Sequence, residues 1–294
     1  MERRIIALFG PTGVGKTAIA VALAERLRAR GELPVAVSAD ALQIYAGLEL
    51  LTAAPTPAER ELLEHRLVAC IPLSERVSVA RYARLAHGEI DTLLAGGATP
   101  IVVGGTGLYM RAALAGLDLR PAAPAAVRER WTAALEARGA AALHAELATL
   151  EPQRAAAIAP TDRHRIVRAL ELHEIGAEQP AGDQLWSADT RHPTRLVGLV
   201  MERAELYARI DRRVERIVAA GAAREVEAAL AGGVSATARK ALGFQELLDG
   251  DIDALKRRTR NYARRQLTWM RKLPGIELVD LTGRSADEVA ASLQ

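Results

Sequence analysis

The sequence predicts an α/β fold, a parallel sheet flanked by helices and carrying an all-helical insertion domain, on three observations. In the first third of the 294 residues, short apolar β-rich runs alternate with longer helical patterns, the order that builds a parallel sheet covered by its crossovers. From about Pro121 the alternation stops, and helical patterns follow one another with no strand between them. Third, "GPTGVGKT" at residues 10–17 stands between an apolar run and a helical one, the strand-loop-helix setting of a phosphate-binding loop.

Ile5–Phe9 reads as the first strand and Thr17–Arg30 as a helix stopped by Gly31. "PVAVSAD" (34–40) is a second strand and "HRLVAC" (65–70) a third, with Cys70 a small buried hydrophobe in it. Ser78 caps a helix through Ala95, and "GGATPIVVGGTGLY" is a buried strand entering a glycine turn. Parallel sheets bind ligands at the carboxyl ends of their strands, so Gly10–Thr17, Asp40 and Gly104–Gly107 are expected to converge. The helical insertion is placed at residues 119–192 and is punctuated by Pro121, Pro124, Pro180 and Gly182. "TRLVGLVM" (194–201) returns the chain to the sheet and "GIELVDL" supplies a last strand, so residues 1–118 and 193–294 form the core.

Composition narrows the function. Half of the chain is apolar, which argues against disorder. The sole cysteine excludes an internal disulfide and a cysteine-rich zinc site. No apolar stretch is long enough to cross a bilayer, and the phosphate loop follows the first strand so early that no signal peptide is expected. These features predict a cytoplasmic protein with no membrane partner. Against a net charge of +3, the 39 Lys and Arg direct attention to where the charge lies.

G-x-x-x-x-G-K-[ST] is the P-loop pattern, and the fold is therefore read as P-loop NTPase-like. The backbone of Gly10, Pro11, Thr12, Gly13, Val14 and Gly15 cradles phosphates, Lys16 supplies a point charge, and Thr17 offers a hydroxyl to phosphate or magnesium. Nucleotide hydrolysis fits poorly. "RLVAC" and "PIVVGG" end without the acid that holds the metal of a switch or motor, and the guanine-reading N-K-x-D is impossible because Asn261 is the only asparagine. A small kinase or another transferase is left. Asp40, just past a buried strand, can hold magnesium, take a proton from an acceptor, or cap the following helix.

"GPTGVGKT", "SADALQIYAGLELLTAAP", "VGGTGLY", "DRHRIVRALEL" and "RRQLTWMR" together resemble the tRNA dimethylallyltransferases, also called tRNA isopentenyltransferases. The motifs keep the same order over nearly the whole chain, and the lack of a zinc-finger extension resembles the bacterial type. The resemblance implies a monomeric enzyme that moves a dimethylallyl group from dimethylallyl diphosphate to N6 of adenine 37 of tRNA, with Mg2+. It assigns the base to Asp40, the loop to the diphosphate, and magnesium to Thr17 with diphosphate oxygens and water. Arg213, by the pattern R-I-x-x-R-V in "ARIDRRV", is a catalytic arginine reaching the diphosphate.

By the same resemblance, tRNA contacts are expected at Asp40, Ala41, Leu42 and Gln43, and at Thr106 and Arg128. A third group is His164, Arg165, Ile166, Val167 and Arg168, and a fourth Arg239, Lys240, Ala241, Leu242, Gly243 and Phe244. The last is Arg264, Arg265, Gln266, Leu267, Thr268, Trp269, Met270 and Arg271. The insertion is expected to hold the anticodon stem-loop. Ala41 stands where the family has Ser, and "LTAAP", with Leu51 and Ala54, where it has G-T-A-K-P. The segment "KRRTRNYARRQLTWMRK" (256–272) carries eight cations and no acid. As a helix it places Leu255, Tyr262 and Trp269 on one stripe against the core, its arginines facing outward. Three rivals remain: a prenyltransferase acting on free adenine nucleotides, a small-molecule kinase, and an RNA-binding module with the loop as nucleotide sensor.

Overall fold

The computed structural model describes residues 4–178 and 184–293. It divides into two compact units, one running to Leu117 and resuming at Leu185, the other Asp118–Gln184. In the first, β1 (Ile5–Phe9) is buried along its whole length, as an apolar run in the middle of a parallel sheet must be. It leads through the glycine loop into α1 (Lys16–Ala29), then β2 (Pro34–Ala39). An irregular stretch comes next with β3 (Tyr45–Ala46), α2 (Glu49–Thr52), α3 (Pro57–Leu62), β4 (His65–Arg66) and β5 (Ile71–Pro72). α4 (Val79–Ala95) is capped by Ser78, whose Oγ accepts from the Arg81 amide at 3.1 Å. β6 (Thr99–Gly104) then runs into α5 (Gly107–Leu114).

The helical unit holds α6 (Ala125–Leu150), broken at Gly139 by its φ of 79°, with α7 (Pro152–Ala156) and α8 (Arg163–Glu174). Leu135, Leu143, Leu147, Ile158, Ile166 and Leu170 form its own core. The first unit resumes with β7 (Thr194–Val200), α9 (Arg203–Ala219), α10 (Ala222–Ala231) and α11 (Phe244–Leu248). α12 (Ile252–Met270), β8 (Glu277–Asp280) and α13 (Ala286–Ser292) complete it. Among the described residues the main sheet has six strands in the order β4-β2-β6-β1-β7-β8, all parallel.

Two expectations need correcting. Residues 65–70 do not form one strand: only His65 and Arg66 pair with β2. Leu67 and Ala69 adopt φ of 59° and 48°, because the amides of Ala69 and Cys70 are taken by the carbonyls of Gln43 and Ile44. Ile71–Pro72 then pair with Tyr45–Ala46, and Cys70 lies exposed. The insertion is also shorter than the expected 119–192. Residues 185–192 pack with the first unit, where the Trp186 ring lies 4.7 Å from that of Trp269 and Arg191 and His192 grip Asp91 at 2.8 and 2.7 Å. Pro180 and Gly182, read as punctuation, lie outside the described residues.

Within the helical unit, Arg128 and Arg168 converge on the buried Glu171, donating at 2.9 and 3.0 Å. Arg168 also donates to the carbonyls of Arg120 and Pro121. Burial alone would push the Glu171 carboxyl up, but the two guanidiniums outweigh it and hold the carboxyl below its ordinary 4.5. A depressed carboxylate stabilises the fold above that ordinary value, and the contribution is lost as pH falls through the lower folded one. Glu171→Gln is expected to cost the helical unit about 1–3 kcal/mol at neutral pH and to flatten its acid unfolding below about pH 4.5. Hydrogen exchange of α8 amides at pH 7 and in acid checks both.

Candidate active site

Three adjacent parallel strands set the geometry. Ala39 of β2 stands opposite Gly104 of β6, and Gly104 opposite Phe9 of β1. Their carboxyl ends therefore finish level, and Asp40, Gly104–Gly107 and Gly10–Thr17 come together as the sequence expects. Gly104 permits the approach, since a Cβ there would stand 2.2 Å from the Ala39 carbonyl oxygen.

The loop itself turns on Gly13 and Gly15, with φ of 84° and 104°, a backbone that side chains rarely tolerate. It delivers the chain to the amino terminus of α1, where the helix dipole favours an anion. Lys16 Nζ donates to the carbonyls of Gly10 and Pro11, both at 3.0 Å. Arg213, on α9, donates to Thr12 Oγ1 at 2.9 Å and to the Thr52 carbonyl at 3.3 Å. Burial pushes the Lys16 amine down to about 8, against the raising effect of Asp40 and with the help of Arg213. Burial likewise brings Arg213 down to about 10, which Asp40 opposes. Both cations sit where an anion would repay their desolvation.

Asp40 does act as a cap, but the segment it caps is a turn and not a helix. Its Oδ1 accepts from the amides of Leu42 and Gln43 at 3.0 and 3.4 Å. Its Oδ2 accepts no hydrogen bond from any described residue. Gln43 pins the same turn, taking the Ser38 hydroxyl at 3.2 Å and donating to the carbonyls of Thr52 and Ala53. Lys16, Thr17, Asp40 and Arg213 line one cavity of about 250 Å³, with Leu51, Val103, Leu242, Leu255 and Tyr262 in its apolar wall.

Gln266 has a role that the sequence does not show. It is buried on α12; Oε1 accepts from the Thr12 amide and Nε2 donates to the Gly105 carbonyl, both at 2.8 Å. One side chain thus ties the phosphate loop to the β6 turn, almost wholly buried beside the cavity. Phe244, Ala241, Gly243, Met270 and Ile166 are buried as well, so in the contact runs expected at 164–168, 239–244 and 264–271 only part is on the surface. His164, Arg165, Arg239, Lys240, Arg264, Arg265, Thr268 and Arg271 are exposed; Ala41, Leu42, Val167, Arg168, Leu267 and Trp269 are half-buried. Arg128 is exposed but committed to Glu171. Thr106 is half-buried beside Tyr262, which the sequence assigns to the core and the structure places on the cavity wall.

The charge of α12 is divided. Lys256, Arg257, Arg258 and Arg260 are matched by Glu215, Asp251, Glu246 and Asp211. Arg264, Arg265, Arg271 and Lys272 have no acidic partner among the described residues. The unneutralised cations therefore lie in the second half of the segment, from Arg264 to Lys272.

The family model described as IPP transferase matches residues 43–273. The chain belongs to this family. It is 41% identical over 283 residues to a tRNA dimethylallyltransferase of Thermobifida fusca, covering 92% of this chain and 88% of that one. With a tRNA dimethylallyltransferase of Streptomyces coelicolor it shares 41% over 295 residues, 97% and 92% of the two chains. Among solved structures, the full-length tRNA isopentenylpyrophosphate transferase of Bacillus halodurans superposes with a TM-score of 0.71 at 33% identity, covering 99% of this chain and 94% of the other. A eukaryotic dimethylallyltransferase acting on tRNA gives the same TM-score at 22% identity, a likeness of fold alone. The IPP transferase match and the P-loop-like architecture agree with the motifs and with the parallel sheet.

The Lys16 amine carries a pH consequence. Burial lets it lose its proton above about pH 8, whereas a bound anion would favour the ammonium form, so anion binding in that range would take up a proton. Affinity for an allylic diphosphate is expected to be flat below pH 8 and to weaken by up to about tenfold per pH unit above it. Lys16→Arg, whose charge persists, should remove that limb. Calorimetry between pH 7 and 9.5 in buffers of different ionisation enthalpy reads both the slope and the proton.

Proposed function

We propose that the chain transfers a dimethylallyl group from dimethylallyl diphosphate to N6 of adenine 37 in tRNA, in the cytoplasm. One observation carries the reading: a carboxylate with one oxygen fixed in a turn and the other unengaged shares a small, partly apolar cavity with Lys16, Thr17 and Arg213. An apolar wall beside the cations suits an allylic chain carried on a diphosphate.

The chemistry comes from the placement. The adenine amine is a poor nucleophile because its lone pair is delocalised into the ring. As that lone pair forms the new bond to the allylic carbon, the C–O bond breaks, its electron pair leaves with the diphosphate, and the amine proton passes to Asp40. Lys16, Arg213 and the loop amides meet the charge that grows on the leaving group. Among the described residues no cluster of three or more His, Cys, Asp or Glu is placed to cage a metal. The oxygen donors are the Thr17 hydroxyl and the Asp40 carboxylate, both on the cavity, which fits a magnesium ion arriving with phosphate oxygens and water. Such an ion would neutralise diphosphate charge.

An adenine can enter the cavity only after leaving its stack, and a single-stranded loop offers the lowest cost for that. The unpaired cations of α12, and on the helical unit the exposed His164 and Arg165, are the surfaces we assign to RNA phosphates. A free-nucleotide prenyltransferase would need neither.

Asp40→Asn is expected to lower turnover by roughly 10²–10⁴-fold while donor affinity moves only a few-fold, as read by mass spectrometry of nucleosides from treated tRNA. Turnover within a few-fold of the unmutated chain refutes the assignment. Arg264→Gln with Arg271→Gln should weaken tRNA binding and reduce the slope of log affinity against log salt by about 0.7 per lost single-strand contact. Any activity on free AMP should be untouched, and equal loss on both acceptors would favour the free-nucleotide enzyme.

A further inference from the structure

α2 is a single turn of four residues, and Leu48, which opens it, gives no side-chain oxygen to its first amides, groups that a helix leaves without partners of its own. The missing acceptor comes from α10. Glu225 takes the Leu50 amide on Oε1 at 2.9 Å and the Leu51 amide on Oε2 at 2.8 Å. A carboxylate suits that end of a helix, and no cation among the described residues pairs with this one, so both of its oxygens are committed to α2.

The other end of the same turn reaches the phosphate site. The Thr52 carbonyl accepts from Arg213 Nη2 at 3.3 Å, while Arg213 Nη1 donates to Thr12 Oγ1 at 2.9 Å. The guanidinium is therefore slung between the phosphate loop and α2. Thr52 lines the cavity of Asp40, and Leu50 and Ala53 line a second cavity of about 420 Å³ with Gly13, Gly15 and Arg213. Backbone bonds from Thr52 to Leu48 and from Ala53 to Leu50 close the turn, so a shift of the amides that Glu225 holds also shifts the carbonyl that Arg213 uses. Leu51 is buried, which keeps the segment folded against its neighbours whether or not the carboxylate is present.

We infer that Glu225 is a positioning residue of the diphosphate site, holding α2 from α10 so that α2 holds the Arg213 guanidinium against the phosphate loop. The inference rests on the reading of Arg213 as a diphosphate ligand given above. Its sign separates it from plain electrostatics. A carboxylate near an anion site repels the anion, so loss of the Glu225 charge alone would tighten binding, whereas loss of a brace loosens it.

The test is a mutant cycle in the full chain, read as calorimetric binding of inorganic pyrophosphate in the presence of magnesium. Glu225→Ala is expected to weaken binding about tenfold. In an Arg213→Met background, which has no guanidinium to place, the same substitution should cost less than twofold. Glu225→Gln, with one oxygen left for one of the two amides, should lose about threefold. Glu227→Ala, which removes an exposed carboxylate from the same helix, should not weaken binding. With tRNA as acceptor, Glu225→Ala should raise KM for the allylic diphosphate about tenfold and leave KM for tRNA within twofold. Pyrophosphate affinity that is unchanged or raised in Glu225→Ala overturns the inference, and so does an equal loss in both backgrounds, the result a general loosening of the fold would give. Should the unmutated chain bind pyrophosphate but prenylate no tRNA, the prenyl-transfer reading falls, and the pyrophosphate cycle still decides the role of Glu225.

Discussion

The shared level of three strand ends is the constraint on which the rest depends. β2, β6 and β1 are neighbours in the sheet and parallel, so three segments far apart in sequence finish side by side. Backbone hydrogen bonds fix this level to within a residue, because a slip of one would turn every side chain to the opposite face of the sheet. The phosphate loop, the carboxylate of Asp40 and the β6 turn therefore meet without long-range side-chain recognition. Side chains add fine placement: Gln266 from α12, and Arg213 from α9, reach the loop from helices outside this strand trio.

Electrostatics then make the cavity a site waiting for an anion. Lys16 and Arg213 are both desolvated, and Asp40 is the carboxylate whose charge supports both against burial. Lys16 donates to two loop carbonyls, which compensate part of the lost hydration. An anionic ligand would be a stronger partner for both cations than those carbonyls. Asp40 is steadied by amides at one oxygen only.

Periodicity and motif made most of the sheet and the convergence of the glycine loop, Asp40 and the β6 turn legible, because buried parallel strands and glycine loops leave local signals. The less legible parts depend on contacts that sequence spacing cannot show. "HRLVAC" has strand composition, yet residues 43–44 claim its backbone amides and bend it, which leaves Cys70 at the surface. The end of the helical unit is set by the stacking of Trp186 on Trp269 and by Asp91 gripping Arg191 and His192, pairs separated by up to about a hundred residues. Gln266 reads as one polar residue in a basic run, and only the fold reveals that its amide matches one donor and one acceptor of the loops above it. Tyr262 reads as core for the same reason: an aromatic stripe on a helix is normally buried, and its hydroxyl's partner lies on another element.

α12 shows how one helix reconciles these demands. Leu255, Thr259, Ala263, Gln266 and Met270 form its buried stripe, spaced three or four residues apart as an amphipathic helix requires. Along the opposite faces the first four cations are neutralised by acids of neighbouring elements, while the last four are not. The same turn that buries Gln266 against the phosphate loop therefore exposes Arg264 and Arg265 to solvent. Gln266, which holds the phosphate loop, and the unpaired Arg264 and Arg265 therefore share one turn of α12.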